Sequence, residues 1–391
     1  MLDKESILDI KLPEASYHDL ESIRKYLHQN PELSCEEFET ASVVAHLLKS
    51  SNPDRLLENV GGTGIIAEYN GEANGSTIMF RCELDALPIQ EINKFDYLSV
   101  TEGKSHKCGH DGHMAIIIAL ASMLGKQKPK KGKVVLLFQP GEEDGRGAKA
   151  VFEDPVFKTV IPDFVFALHN LPGYSLGEVV LRRNSFNAAV TSLIIRLNGK
   201  TSHAAEPEMG INPSNAISKI LADIYGLSNN TPSREDFTLI TPVHLQMGEI
   251  AYGISAGHAE IHLTLRTWTQ EHLDKLCERV LHVVGKTCQQ FALPYETEFT
   301  HSFQANKNHD SAVDLVERAI EKTGSPSQYR PYPFKWGEDF GLFTQHYPGA
   351  LIGIGSGEDC PALHNPDYDF PDTLIEKGAT LFNEIYQAAN E

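Results

Sequence analysis

The 391-residue sequence predicts an α/β protein, with a mostly parallel mixed sheet flanked by helices and an α+β domain inserted into it. Three observations carry this expectation. Short, continuous apolar runs alternate with helix-like segments, as strands buried on both faces do. Residues of metal-binding and acid–base type stand just beyond those runs, where open α/β sheets place their ligand sites. Between Thr191 and Thr300 the continuous runs give way to alternation, the pattern of a half-exposed antiparallel sheet.

Taken in order, His18 to Leu48 carries apolar residues at helical spacing around Asn30-Pro31-Glu32-Leu33, which predicts two helices joined by a turn. Thr77–Cys82, Lys133–Phe138, Asp163–Leu168 and Ala350–Ile354 read as buried strands, and Met114–Leu124 as a buried helix. Thr191–Leu197, Phe237–Gln246, Ala259–Trp268 and Tyr295–His301 read as strands of the insert, with helices over Pro213–Leu227 and Gln270–Gln290. That order, β-α-β-β-α-β, is the split, ferredoxin-like arrangement: helices cover one sheet face and leave the other free. The expected division is residues 1–187 and 303–391 for the main domain and 188–302 for the insert.

Composition narrows the function. Lys and Arg total 34 against 53 Asp and Glu, a formal net charge of −19, which disfavours nucleic acid or an anionic membrane as partner. The 41% apolar content suffices for a full core. No apolar run approaches the roughly 18–20 residues of a membrane span, and the first residues, Met1 to Ser6, lack the basic start and apolar core of a secretory signal. The six cysteines are too few and too irregularly spaced for a disulfide framework. A cytosolic protein with reduced thiols is the expectation.

Cys108-Gly109-His110-Asp111-Gly112-His113 is the richest segment, placing a thiol, two imidazoles and a carboxylate at the head of the apolar helix. Gly109 permits the irregular turn that lets Cys108 and His110 face one centre, and Asp111 is expected to cap the helix. Glu142 and Glu143 follow the strand ending at Phe138; as neighbours they point opposite ways, so one can bind a cation while the other faces substrate. His169 follows Leu168, and His364 follows the last strand after a Gly-rich loop. Either histidine alone would pass for a structural residue. Together with Cys108, His110 and the two glutamates they read as a centre for first-row divalent ions, with zinc, manganese, cobalt or nickel all compatible.

The motifs resemble those of the aminoacylase and carboxypeptidase G type of dinuclear metallopeptidase. The similar branch is the one holding auxin-conjugate hydrolases, hippurate hydrolases and N-acetyl-diaminopimelate deacetylases. The resemblance runs through Leu27-His-Gln-Asn-Pro-Glu-Leu33, Arg81-Cys-Glu-Leu-Asp85, the Cys108–His113 segment, Phe138-Gln-Pro-Gly-Glu-Glu143, Ala167-Leu-His-Asn170, Gly199-Lys-Thr-Ser-His203, Gly337-Glu-Asp-Phe340 and Leu363-His-Asn-Pro366. It implies two divalent ions held by Cys108, His110, Glu143, His169 and His364, with Cys108 bridging. It implies Glu142 as general base, Asp85 as the carboxylate that orients a ligand, and His203 of the inserted lid as donor to the oxyanion. The free face of the lid sheet makes a homodimer through the lid the expectation. The implied reaction is hydrolysis of N-acyl amino acids, with an N-acetyl-diaminopimelate-type deacetylase or a small-peptide carboxypeptidase as alternatives. Arg266 is a candidate for holding a substrate carboxylate. The chain departs from the family pattern at Glu83, at Gly141, where alanine is commoner, and at Gly253-Ile-Ser-Ala256, where Asn-Val-Ile-Pro is common. A non-catalytic metal-binding protein and a single structural ion share the donor set. A structural site is closed and four-coordinate, whereas five donors and a spare carboxylate suit an open one.

Overall fold

The structure is a computed structural model that describes residues 3–391. The chain divides into two units: residues 3–186, 306–330 and 338–391, and residues 187–305 with 331–337.

In the first unit one eight-stranded sheet runs in the order Arg55–Val60, Gly64–Asn70, Lys131–Gln139, Ala73–Glu83, Phe164–Pro172, Gly349–Gly357, Val179–Leu181, Ser327–Tyr329. The third to sixth of these are mutually parallel. The first two extend one edge antiparallel, and Val179–Leu181 runs antiparallel to Gly349–Gly357. The parallel strands are those that the apolar runs predict. Their Ile78, Phe80, Leu136 and Phe166 join one core with Ile116, Leu120, Phe382 and Ile385 of the helices His110–Lys126 and Leu374–Asn390. Met79, Val135, Leu137 and Val165, at alternate positions, are also fully buried, so both sheet faces are covered. Each such side chain contributes roughly 1.5–3 kcal/mol.

Four strands of this sheet lie outside the predicted runs. Gly64–Asn70 is interrupted by Glu68, buried because Arg55 and Lys133 both pair with it. Arg55–Val60, Val179–Leu181 and Ser327–Tyr329 are short edge strands, defined by pairing rather than by apolar content.

The second unit is a four-stranded antiparallel sheet in the order Thr238–Met247, His258–Thr267, Ala189–Asn198, Tyr295–Phe303. Leu193, Ile195, Ile261 and Leu263 face Ile217, Ile220, Val280 and Val284 of the helices Ser214–Tyr225 and Gln270–Gln290. The alternation read from the sequence is the two-residue period of that helix-covered face. Residues 331–337 join this unit through Ala188 N–H to Phe334 O (2.9 Å) and Arg266 Nη1 to Lys335 O (2.8 Å).

Asp111 does not cap the helix His110–Lys126. The N-cap is Gly109, at φ +93° with no side-chain cap. Asp111 instead turns into a buried network. Its Oδ2 accepts from His28 Nδ1 at 2.8 Å and from Arg24 Nη1 at 3.4 Å. Arg24 also reaches Asp369 and Asp372, and His28 Nε2 donates to Glu91 Oε1 at 2.8 Å. Long-range ion pairing displaces the local capping preference because a buried guanidinium requires anionic partners.

Two expectations follow. A Cβ on Gly112 would lie 2.2 Å from the Phe370 ring, so Gly112→Ala should lower the free energy of unfolding by about 1–3 kcal/mol in urea titration. For His28, burial lowers the imidazole pKa, but the Asp111 and Glu91 hydrogen bonds outweigh it and lift the value from 6.5 to about 9. A raised folded-state pKa stabilises fully below the unfolded value, and that contribution is lost as pH rises through the folded one. The stability difference between wild type and His28→Gln should therefore shrink as pH rises from 6.5 to 9; a difference independent of pH would show that the ring is not charged in the fold.

Candidate metal centre

The residues predicted to form the centre meet at the carboxyl-end rim of the parallel strands in the first unit. Cys108 is buried in the turn before the helix His110–Lys126, and His110 is the first helical residue. Gly109 between them is left-handed, and a Cβ there would meet the Asn170 amide at 2.8 Å, so only glycine fits this turn. His169 lies within the strand Phe164–Pro172 rather than after it. Glu142 and Glu143 follow the strand Lys131–Gln139. His364 sits in the loop after Gly349–Gly357 at φ +66°, its N–H held by Lys107 O at 2.8 Å.

Cys108 is common to two sets whose ligand atoms all lie within 4.8 Å of one another: Cys108, His110 and His169, and Cys108, Glu143 and His364. Cys108 Sγ stands 3.5 Å from His169 Nε2, and Glu143 Oε1 is 3.9 Å from His110 Nε2 and 3.8 Å from His364 Nε2. His110, Glu142 and Glu143 form a third such set.

Hydrogen bonding sets which nitrogens are free to ligate. His110 Nδ1 faces the Asp85 carbonyl at 2.9 Å and His169 Nδ1 the Asn170 carbonyl at 2.9 Å. A carbonyl only accepts, so both Nδ1 atoms carry a proton and both Nε2 atoms point to the centre. Burial lowers the His110 pKa, but Asp85, Glu83 and Glu143 outweigh it and lift the value to about 10, so a cation would replace a proton on its Nε2. Burial holds the His169 pKa down at about 3, which keeps its ring neutral, the form a metal requires. His113 differs. Its Nδ1 donates to Glu83 Oε2 at 2.6 Å and its Nε2 accepts from Asn170 N–H at 3.2 Å, so both nitrogens are engaged.

His110 Nε2, Glu143 Oε1 and Asp85 Oδ1 are buried without a hydrogen-bond partner. Such groups are rare because each costs about 1–3 kcal/mol, more when charged. Two further features suit a cation. Burial lifts the Glu143 carboxyl to about 7; burial, then Glu338 and Glu143, push Glu142 well above the usual carboxylate range. Thiol, imidazole and carboxyl groups converging on one centre therefore fit a divalent metal, which would take the place of their protons.

Asp85 is fully buried. Its carbonyl, rather than its carboxylate, makes the shorter contact with His110; its Oδ2 accepts from Ser34 Oγ at 2.7 Å and from the Glu143 N–H at 2.9 Å. His203 is an exposed residue of the second unit, on a strand paired with Ile254–Ser255, and its Nδ1 accepts from Ala205 N–H at 3.1 Å. The segment departing from the family pattern, Gly253–Ala256, thus supplies the partner strand of His203. Arg266 bonds the Lys335 carbonyl within its own unit.

Behind Glu142 lies a buried group with no role among the expected site residues. Arg81 is wholly buried and pairs with Glu83, Glu338 and Asp339. Asp339 also accepts from Gln139 and from Ala148 N–H, while its own N–H donates to Glu142 Oε1 at 3.3 Å. The available signal was Arg81 itself, a charge in an otherwise apolar strand, which requires buried partners.

The sequence profile described as Peptidase family M20/M25/M40 matches residues 79–388. An N-acetyl-L-cysteine deacetylase of Bacillus subtilis is 31% identical over 363 residues, covering 93% of this chain and 86% of that protein. A hippurate hydrolase of Campylobacter jejuni is 30% identical, covering 94% and 95%. A Bacillus subtilis crystal structure described as a dinuclear metal-binding peptidase of family M20 superposes with a TM-score of 0.81 at 26% identity, covering 95% of this chain and 97% of that one. With its profile match across most of the sheet and these near full-length relatives, the chain belongs to peptidase family M20/M25/M40.

Proposed function

We propose that this protein is a metal-dependent amidohydrolase that cleaves N-acyl amino acids to a carboxylic acid and a free amino acid, with two divalent cations held by Cys108, His110, Glu143, His169 and His364. The observation that carries this reading is the shared donor. Cys108 belongs to both triads of ligand atoms, beside a further carboxylate, Glu142, that neither triad uses. The substrate class is supported by the relatives, since N-acetyl-L-cysteine and hippurate are both N-acylated amino acids.

When bound, such cations polarise the amide carbonyl and lower the pKa of a water towards neutrality. Glu142 takes the proton from the attacking water as the new C–O bond forms, and returns it to the amine nitrogen as the C–N bond breaks. The Asp339 N–H aims the Glu142 Oε1. Asp85 keeps His110 in the ligating tautomer through its carbonyl and fixes the Glu143 backbone through its carboxylate. His203 is proposed as donor to the tetrahedral oxyanion. Its Nδ1 accepts from the Ala205 N–H, so Nε2 carries the proton to be donated.

We also propose a cytoplasmic homodimer formed through the lid. The edge strand Thr238–Met247 exposes Val243, Leu245 and Met247 along one face, an open apolar edge of the kind proteins cover. The cysteines are all free, and no helix of the described residues is long and apolar enough to cross a membrane.

Amine release from a panel of N-acyl amino acids, including N-acetyl-diaminopimelate and small peptides, tests the function with enzyme reconstituted with zinc, manganese, cobalt or nickel. Chelation should abolish turnover. Glu142→Ala should keep its metal and lose at least about 10²-fold in kcat; retained turnover removes Glu142 as the base. Cys108→Ala should bind fewer than two ions, and unchanged metal content takes Cys108 out of the ligand set.

A further inference from the structure

Glu37 presents a fully buried carboxylate immediately before the helix Phe38–Ser50, whose N-cap position it occupies. Its side chain makes no cap bond there. That task falls to Glu32, whose Oε1 and Oε2 accept from Glu39 N–H at 3.1 Å and Thr40 N–H at 2.7 Å. The Glu37 carboxylate turns the other way. Its Oε1 accepts from Cys35 N–H at 2.7 Å and from Gly141 N–H at 2.8 Å, and its Oε2 accepts from Thr63 Oγ1 at 2.7 Å. Gly141 directly precedes Glu142 and Glu143 and is left-handed at φ +54°, in a region where glycine moves freely. The Cys35 thiol packs against it so closely that a Cβ on Gly141 would lie 2.7 Å from Sγ.

We infer that Glu37 is a positioning residue for the reaction: it clamps Gly141 and thereby sets where the adjacent Glu142 stands, Glu143 being held by Asp85. The inference rests on the role proposed above for Glu142. Besides its own backbone bonds, among them Gly147 N–H to Gly141 O at 2.9 Å, the loop has three bonds that involve a side chain: Glu37 on the Gly141 N–H, Asp85 on the Glu143 N–H, and the Asp339 N–H on the Glu142 carboxylate. Of these three, only the first grips the left-handed hinge. Glu37 reaches no proposed ligand and no reacting atom. It acts through backbone geometry, where a displacement of about 1 Å lowers rates by roughly 10²-fold.

Two substitutions separate reach from charge. Glu37→Gln keeps the length; its amide oxygen still accepts from both N–H groups, and its NH2 donates to the Thr63 hydroxyl. Glu37→Asp keeps the charge but withdraws it by one methylene. The clamp predicts near wild-type kcat for Glu37→Gln. For Glu37→Asp it predicts a kcat loss of about 10–100-fold, the usual scale for residues that support a metal site from behind, with KM and bound metal per folded chain unchanged. A wild-type kcat in Glu37→Asp, or equal impairment in both variants, overturns the clamp, as does a loss that merely tracks metal content. Glu142→Gln is the control. If it remains active, the reading of the site itself fails; if it is inactive while Glu37→Asp is fully active, only the clamp fails.

Discussion

His110 Nε2 and Glu143 Oε1 are buried where no group of the described residues satisfies them, and much of the first unit is arranged to hold them so. A folded chain ordinarily relaxes such atoms onto a neighbour or into water. Here the relaxation is blocked residue by residue. The Asp85 carbonyl holds the far side of His110, and the Asp85 carboxylate holds the backbone of Glu143. The Asn170 amide fills the space beside Gly109, and the Asn170 carbonyl fixes the tautomer of His169. Each contact is ordinary. Their sum is a set of groups that stays directed at a common centre, with Cys108 Sγ only 3.5 Å from His169 Nε2.

The same logic governs the charge behind the centre. Five carboxylates, Glu83, Glu142, Glu143, Glu338 and Asp339, lie in or beside the rim with little exposure. Arg81 offsets three of them directly and cannot be deprotonated. Glu142 and Glu143 make no direct pair with Arg81, and burial raises the proton affinity of both. A second cationic node, Arg24 with His28, serves Asp111 on the other side of the same helix start. Arg81 and Arg24 thus hold Glu83, Glu338, Asp339 and Asp111 in buried ion pairs, while Asp85 and Glu37 are held by neutral donors and backbone N–H groups instead.

What could be read from the chain follows the range of the interactions involved. The parallel strands and the donors Cys108, His110, Glu143, His169 and His364 stand out because apolar runs and unusual residue types are local signals. Edge strands such as Ser327–Tyr329 have no such signal; pairing with Val179–Leu181 makes them strands. Asp111 shows the opposite failure. The local preference for a helix cap is real, but Arg24 and His28, distant in sequence, outbid it. The tautomers of His110 and His169 were invisible for the same reason, since they depend on carbonyls whose positions exist only in the fold.

Glu32 and Glu37 carry that point furthest. Both lie just before one helix, and by local rules either can cap it. Glu32 reaches the first-turn N–H groups from the preceding turn, which frees Glu37 from capping its own helix. A carboxylate so freed and wholly buried must find donors elsewhere or be protonated. It finds them on three separate segments, at Cys35, Thr63 and Gly141. One acidic residue more than the helix needs therefore becomes a strut between the turn before the helix and the loop that carries Glu142 and Glu143. A surplus at one level of structure becomes a constraint at the next, and the spacing of the two glutamates alone could not have revealed it.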